Sequence, residues 1–456
     1  MRRRTVITGI GTVSGLGTGV EALWQGLSAG RSALKPIRAF DASGFVCRLG
    51  GEAADFTGAK DFVPKSYRKA VKVMARDSEL AVAGAKLAVD DARLVTRGTL
   101  PEDSAEKTSY PSGRLGCQIG AGLIAAETAE LSMAMATAKV GPAESPSLDL
   151  KAWGTGEGGA GAMNNLPPLW MLKYLPNMLA CHVTIIHGAE GPSNTITCAE
   201  ASGLLSIGES ARVIERGDAD ACFSGGAESK ITLMGLLRMQ LAGRLAPSGD
   251  IEDGGSLVRP YDPRSGGTIM GEGAGILILE EASAAAGRGA RVYAEVAGFG
   301  ASHSDAMDVL AGDTAGPLVY DDEGIRFAVE NALEDAGLDA GDIDAIVPHA
   351  TGVPAADARE LGAFRAVFGS RLSSVPLVTL APVVGDCAAA QGGLSAAVAA
   401  LCLHHQRLPA RIHAGTHHPD IQAGAFPGGS ATLRHILVLN SSLGGQNAAI
   451  ILRAAG

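Results

Sequence analysis

Two strand-like segments, Arg4–Gly15 (RTVITGIGTVSG) and Arg291–His303 (RVYAEVAGFGASH), carry the same short grammar in the two halves of this chain. Each is an apolar, β-branched run read as a short strand closing in a glycine turn. Beyond each of them helices and strands alternate. In the first half come helical stretches at Val20–Gly30 and Arg68–Leu94, then a strand at Arg114–Gly122 with a glycine turn. Gly217–Ser229 (GDADACFSGGAES) reads as a turn, a strand and a Gly-Gly turn. In the second half, a helix at Ile325–Leu338 leads to a strand at Asp342–Gly352 that opens into a loop. A small-residue helix at Gly392–His405 then precedes two strands around a glycine-rich turn in His435–Arg453. Strands alternating with helices give α/β layers, and the likeness of the halves points to a duplicated unit.

Composition narrows the function classes. The 456 residues, 46% hydrophobic and 19% charged, are ample for a large core. A net charge of −10 argues against general affinity for nucleic acid or an anionic membrane. Seven scattered cysteines without a C-x-x-C fit a reduced, cytoplasmic protein and a chain with no metal site. The basic start, MRRRTVITGIG, lacks the apolar region and cleavage site of a signal peptide, and no run approaches the length of a membrane span. Between Thr137 and Pro167 the text turns rich in Gly, Pro, Ser and Ala, as in a long surface loop or lid. Its GTGEGG has the G-x-G-x-x-G spacing but no preceding strand and no following helix, so no dinucleotide cofactor is expected.

The segment Gly191–Gly203 (GPSNTITCAEASG) has the form of a run-up to a nucleophile: strand, tight turn, helix start. Cys198 and Glu200 compete for the reactive position. Motifs along the whole chain decide between them. RTVITGIGTVSGLG, FDASGF, LPNMLACHVTIIHGAEGPSNTIT, GDADACFSGGAE, YDPRSGGTIMGEGAGILILEE, HATGVPAAD and GGQNAAIILR come in an order that resembles the β-ketoacyl-ACP synthases, the condensing enzymes of fatty-acid and type II polyketide synthesis. The resemblance implies a thiolase-like αβαβα five-layer sandwich of two duplicated α/β halves, usually dimeric. The halves are expected at residues 1–255 and 256–456, with 137–167 inserted in the first.

Family members carry a nucleophilic cysteine in T-A-C-x-[ST]-G and two histidines in H-G-T-x-x-P and K-S-x-x-G-H. Counted without a gap from either side, the cysteine position falls on Glu200. The first histidine is His349. The second setting aligns with APVVGD, so its lysine is Ala381 and its histidine Asp386. A helix N-terminus that favours a thiolate also favours a carboxylate. Yet a carboxylate would form a mixed anhydride with an acyl chain, so ordinary condensation is not expected. An ionised Asp386 would repel a developing enolate but could hold His349 in one tautomer. Asp386 also suits the plain role of satisfying helix-start N–H groups, and Glu200 that of a space-filling partner for His349.

The family's G-F-G-G-T-N turn, which supplies an oxyanion-hole amide, reads SLGGQN here, with Leu443 near the gating phenylalanine and Gly444, Gly445 and Asn447 continuing the turn. Lys65, Arg68, Lys69 and Lys72 form a local basic cluster where the family docks its acyl carrier protein. Three functions are compatible with these residues. The first is a non-condensing partner of a competent ketosynthase, similar to a chain-length factor, although those typically lose the first histidine too. The second is an enzyme using Glu200, His349 and Asp386 for acid/base chemistry on a carrier- or CoA-bound acyl chain. The third is a malonyl-ACP decarboxylase. The partner expected is an acyl carrier protein, in a homodimer or a heterodimer with a ketosynthase.

Overall fold

The computed structural model describes residues 3–101, 104–154, 156–262, 264–305, 322–412, 421 and 428–455. Thr155 in the GTGEGG run and parts of the 256–456 half lie outside the described residues. The main elements of the first half are β1 (Thr5–Ser14), α1 (Val20–Ser28), α2 (Arg76–Ala92), β2 (Leu115–Gly120), α3 (Thr128–Ala138), α4 (Met178–His187), β3 (Ser193–Ile196), α5 (Ser202–Glu215), β4 (Ala221–Ser229) and α6 (Leu233–Leu241). After β5 (Glu272–Glu281) come β6 (Ala294–His303), α7 (Glu323–Ala336), β7 (Ala345–Val347), α8 (Pro354–Phe368), α9 (Gln391–His405), β8 (His435–Ser441) and β9 (Gln446–Ala454).

The strands form one continuous sheet in the order β7-β8-β9-β6-β1-β5-β4-β2-β3. From β1 outward the pairings run antiparallel to β5, antiparallel to β4, then parallel to β2. From β6 outward they run antiparallel to β9, antiparallel to β8, then parallel to β7. The two series match step for step. So do their irregularities: the β1–β5 register shifts between Ile7 and Gly9, and the β6–β9 register between Val296 and Gly298. A bulge re-aims a strand at a fixed point, and its recurrence at the same step marks a true structural duplication. The halves of the sheet pair through Thr5–Ile7 of β1 and Ala294–Val296 of β6.

Five layers result. Helix α2 covers the outer face of β1, β5 and β4, and α7 covers β6 and β9, with α8 beside it. Between the two sheet halves lie α5 and α9, each in contact with strands of both halves. Position explains composition: α9 (QGGLSAAVAALCLHH) is buried on every face from Gln391 to Leu403, and only small side chains suit a helix enclosed by two sheets.

The glycines read as turns are strand residues. Gly9 and Gly11 lie within β1, and Gly298 and Gly300 within β6. A Cβ on Gly11 would stand 1.9 Å from the Gly84 carbonyl of α2, and one on Gly300 2.1 Å from the Ala328 carbonyl of α7. The residues are small because helix backbone rests on them, not because the chain turns. Gly225–Gly226 is likewise inside β4. The Arg68–Leu94 helix begins only at Arg76. Before it, Lys65–Tyr67 and Ala70–Val73 are 3-10 turns, and Met74 is extended. Tertiary anchoring overrides the periodicity there, since the Arg76 guanidinium bonds buried Glu272 at 2.7 and 3.1 Å and the carbonyls of Ala53 and Phe56. The 137–167 segment continues from α3 through a small hairpin, Lys139–Val140 with Ser147–Leu148, and a helical turn at Leu150–Trp153. It has a small core of its own around Ala134, Ala138, Ala162 and Leu166.

β5 rests on α9 just as closely: a Cβ on Gly275 would lie 2.3 Å from backbone atoms of Gly393 and Leu394. Gly275→Val should therefore lose at least about 3 kcal/mol of stability or fail to fold. Gly287→Ala, where a Cβ meets nothing within 4 Å, should be neutral or gain up to about 1 kcal/mol. Chemical denaturation of both variants checks the contrast.

Candidate active site

The chain enters the site three times, each time through a backbone strained in the same way. After β3, Ala199 takes φ 46°, and Glu200 comes next in a 3-10 turn leading into α5. After β7, Ala350 takes φ 49°, directly behind His349. Ahead of α9, Ala388 takes φ 49°, two residues beyond Asp386. A left-handed alanine costs about 1–2 kcal/mol, and such residues cluster where surrounding structure fixes them for a task.

Two of these entries are copies of one another. Cys198-Ala-Glu-Ala-Ser-Gly203 and Cys387-Ala-Ala-Ala-Gln-Gly392 share Cys-Ala-x-Ala-x-Gly and the same fold. In each a 3-10 turn precedes the central helix. In each the cysteine N–H is accepted by the side chain four residues on, Ser202 Oγ at 2.8 Å and Gln391 Oε1 at 3.2 Å. Both cysteines pack into the main core, and burial raises both thiols. Cys198 is thus the counterpart of a structural cysteine. Glu200, two residues on, turns its carboxylate into the interior at 4% exposure. The Cys-Ala-x-Ala-x-Gly echo was visible in the sequence and is a second signal for this distinction beside the spacing of the family motifs.

Glu200 Oε2 accepts the Leu443 backbone N–H at 3.1 Å. The second group on it is one that motif reasoning passed over. The Arg244 guanidinium lies 3.7 Å from Glu200 Oε1 and 3.9 Å from Asp386 Oδ2, with all three side chains at 5% exposure or less. Helix α6 ends in a Schellman turn: the Gly243 N–H bonds the Gln240 carbonyl at 2.9 Å and the Arg244 N–H the Met239 carbonyl at 3.1 Å, with Gly243 at φ 65°. That turn sends Arg244 inward. The only sequence signal was a lone arginine in the small, apolar run LAGRLAP.

Asp386 Oδ1 caps the start of the next turn by accepting the Ala388 N–H at 2.9 Å, while Oδ2 has no hydrogen-bond partner among the described residues. The His349 loop is tied down by α8: Glu360 accepts the N–H groups of His349 and Ala350 at 2.8 and 3.0 Å, and Asp357 that of Gly352 at 3.1 Å. His349 Nε2 is buried and without a hydrogen-bond partner among the described residues. Burial pulls His349 below the usual histidine value, against the opposing pull of Asp386 and Glu200. Burial would raise Glu200, but the charge of Arg244, then His349, and the Leu443 N–H more than offset it, and the carboxyl is held below its ordinary value.

Two cavities flank this centre. One, about 410 Å³ and mostly apolar, is lined by Leu123, Pro176, Met239, Met270 and Ala388, with Glu200, Glu228 and Lys230 among its charged members. The other, about 30 Å³, is lined by Arg244, His349, Ser304, Gly445 and Asn447. Leu443 borders both. Asn447 Nδ2 donates to Ser304 Oγ at 2.7 Å and to the Gly445 carbonyl at 3.1 Å, which closes the turn. Gly444 is exposed and lines neither cavity. Ala381 is buried in an apolar cluster with Leu34, Leu49 and Met270 and also lines neither. Lys65, Lys69 and Lys72 stand on or beside the 3-10 turns before α2 with Arg68 between them, at the surface of the first half. Among the described residues no group of three ligating side chains could hold a metal, and no helix is long and apolar enough to cross a membrane.

Residues 2–285 match the Beta-ketoacyl synthase, N-terminal domain family, and residues 293–415 its C-terminal domain family. The chain belongs to the β-ketoacyl synthase family. A 3-oxoacyl-[acyl-carrier-protein] synthase 2 of Staphylococcus aureus is 30% identical over 453 residues, 99% of this chain and 98% of that protein. The solved ishigamide ketosynthase/chain length factor superposes with a TM-score of 0.78 at 29% identity, covering 100% of both chains. A type II polyketide ketosynthase solved in complex with its acyl-carrier protein shares the fold, with a TM-score of 0.77 at 23% identity over 100% of both chains. The chain is thus homologous both to the 3-oxoacyl-[acyl-carrier-protein] synthase 2 enzymes and to the ketosynthase/chain length factor pair, and its fold is the thiolase-like one.

Beyond Glu200 a second charged group backs the site. Glu228 and Lys230 are ion-paired, Glu228 Oε2 accepts the Ala389 N–H at 2.8 Å, and Asp77 Oδ1 accepts the Ser229 N–H at 3.3 Å. Burial, with repulsion from Glu228, pushes Asp77 up to about 7. A raised carboxyl contributes stability that is full below its unfolded value near 4 and is lost as pH rises to about 7. Asp77→Asn, which keeps the acceptor, should match wild type at pH 4 and exceed it at pH 8 by roughly 2–4 kcal/mol. Denaturant midpoints across that range read the difference.

Proposed function

We propose that this β-ketoacyl synthase homologue is a non-condensing, chain-length-factor-like partner of a competent ketosynthase, working on acyl chains borne by a carrier protein. One observation carries the reading. At the turn where the family resemblance puts the nucleophilic cysteine, the side chain is a buried carboxylate, held by the Leu443 N–H and paired with Arg244. A carboxylate kept ionised and fixed in place is a poor acyl acceptor. It also occupies the amide that the family aims at a developing oxyanion, so a thioester carbonyl would have to displace a charged group to reach it. The likeness to the ishigamide ketosynthase/chain length factor, which spans this chain end to end, fits a place in a pair of that kind.

Two surfaces fit the partners this role requires. Leu123, Met133, Met171, Leu175 and Ile185 are large apolar residues exposed along one stretch of the first half, and β3, the sheet's edge strand, starts just beyond them. Exposed large apolar side chains and an open edge strand are both features that a dimer covers. The surface cluster of Lys65, Arg68, Lys69 and Lys72 suits an acidic carrier protein. Acid/base turnover by Glu200, His349 and Asp386 stays the second reading because His349 Nε2 and Asp386 Oδ2 are buried without hydrogen-bond partners among the described residues.

The protein alone, incubated with malonyl-ACP and with a medium-chain acyl-ACP, should leave both masses unchanged, as should Glu200→Gln and Glu200→Ala. Intact-protein mass spectrometry reads this. Turnover by wild type that both variants lose would overturn the partner reading in favour of the second. Glu200→Cys alone should not restore condensation, because Asp386 and Ala381 remain where the family resemblance expects histidine and lysine. Ile185→Glu should weaken subunit association about tenfold or more by sedimentation, while a Lys65→Glu/Lys69→Glu variant should lower carrier affinity mainly at low salt.

A further inference from the structure

Arg244 joins the two halves of the molecule at one point. Glu200 stands at the start of central helix α5, from the first half, and Asp386 just ahead of central helix α9, from the second. Each carboxylate lies in the favourable field of its helix N-terminus, yet two such charges side by side in the interior repel each other and have lost their water. Arg244 is the cation that reaches both, at 3.7 and 3.9 Å. These separations are too long for hydrogen bonds, and Arg244 Nε has no hydrogen-bond partner among the described residues. The guanidinium therefore acts on the pair through its charge. Its backbone leaves it little freedom: the Schellman turn holds one side, and the Arg244 carbonyl accepts the Thr268 N–H at 2.7 Å on the other.

We propose that Arg244 is a positioning residue that clamps Glu200 and Asp386 together, pins the Glu200 carboxylate on the Leu443 amide, and so closes the reaction centre with a fixed ionic plug spanning both halves. The inference rests on the non-condensing reading and deepens it: the centre is not an eroded active site but one filled by a charge-matched structural element. The titratable groups around Glu200 come from several elements. His349 approaches from the loop after β7, Arg244 from the turn after α6, and Asp386 from ahead of α9. Glu228 and Lys230, at the end of β4, act on one another first, and the field of Glu200 reaches both.

The clamp has a signature that simple packing lacks. With Arg244 present, Glu200 is held below its ordinary value, so its contribution to stability is present above that value and is lost as pH falls through the lower folded one. Without the cation, burial dominates, the Glu200 carboxyl moves above its unfolded value, and the sign reverses: stability is lost as pH rises. The test compares thermal unfolding of the full chain from pH 4.5 to 8 for wild type, Arg244→Met, Arg244→Lys and the triple variant Arg244→Met/Glu200→Gln/Asp386→Asn. Taking differences from wild type removes the contribution of Asp77; Asp357 also feels the charge of Arg244, so the slope it adds is common to Arg244→Met and the triple variant, and the difference between those two isolates the Glu200–Asp386 pair.

Relative to wild type, Arg244→Met should lose unfolding temperature progressively as pH rises. Arg244→Lys should keep most of the wild-type profile, and the triple variant should regain most of the loss, keeping only the slope that Asp357 adds. An Arg244→Met profile parallel to wild type, or a triple variant no better than the single, would overturn the clamp. If Arg244→Met does not fold, recovery of folding in the triple variant supports the proposal. An unfolded triple beside a folded Glu200→Gln/Asp386→Asn double overturns it. None of these unfolding curves involves turnover, so the mass change of malonyl-ACP or acyl-ACP separates an inert protein with a failed clamp from an active one with an intact clamp.

Discussion

The rest of the structure depends on how closely two helices approach in the middle of the molecule. Helices α5 and α9 run between the sheet halves, and where they meet each other and β5 there is no room for a Cβ: one on Gly203 would lie 2.8 Å from the Ala389 carbonyl, one on Gly393 1.9 Å from that of Gly275. Backbone-on-backbone contact of this kind is rigid, since nothing flexible lies between the layers. It sets the N-termini of the two helices side by side. Whatever residues stand there share one environment, and here they are two carboxylates, one from each copy of a duplicated unit.

That geometry dictates the electrostatics. Two helix N-termini favour anions, burial disfavours them, and proximity sets them against each other. The chain answers with one cation carried on a separate turn and one backbone amide, the Leu443 N–H. His349, enclosed in the same place, is pulled below the usual histidine value by burial and upward by the two carboxylates. The result is a centre that keeps strained loops and a buried histidine while its amide is already engaged by a side chain of the protein.

The duplication also explains why the opening strands of the two halves mislead in the same way. In both, the strand looks as though it closes in a glycine turn, and in both the glycines continue the strand under a covering helix, α2 or α7. A G-x-G pattern after a β-branched run is locally consistent with either outcome, and only the partner helix distinguishes them. The stretch before Arg76 shows the converse. Its helical composition is plain, yet the pull of Glu272 on Arg76 and the extended Met74 break the periodicity.

Alternation of strands with helices and the likeness of the halves were enough, read along the chain, to point to a duplicated α/β unit, because hydrophobic period and small-residue runs are local properties; the thiolase type was implied by the resemblance of the ordered motifs to the β-ketoacyl-ACP synthases. The same ordering singled out Glu200, His349 and Asp386 by counting between motifs. Arg244 was not legible, because its local text describes only a helix end. Its importance comes from where the left-handed Gly243 aims it and from the meeting of two halves far apart in sequence. The sequence by itself determined which layers form and which residues stand at the helix starts. Only the tertiary structure decided which charges meet there, because Coulomb interactions in a buried site depend on distance through space, and no local pattern encodes that distance.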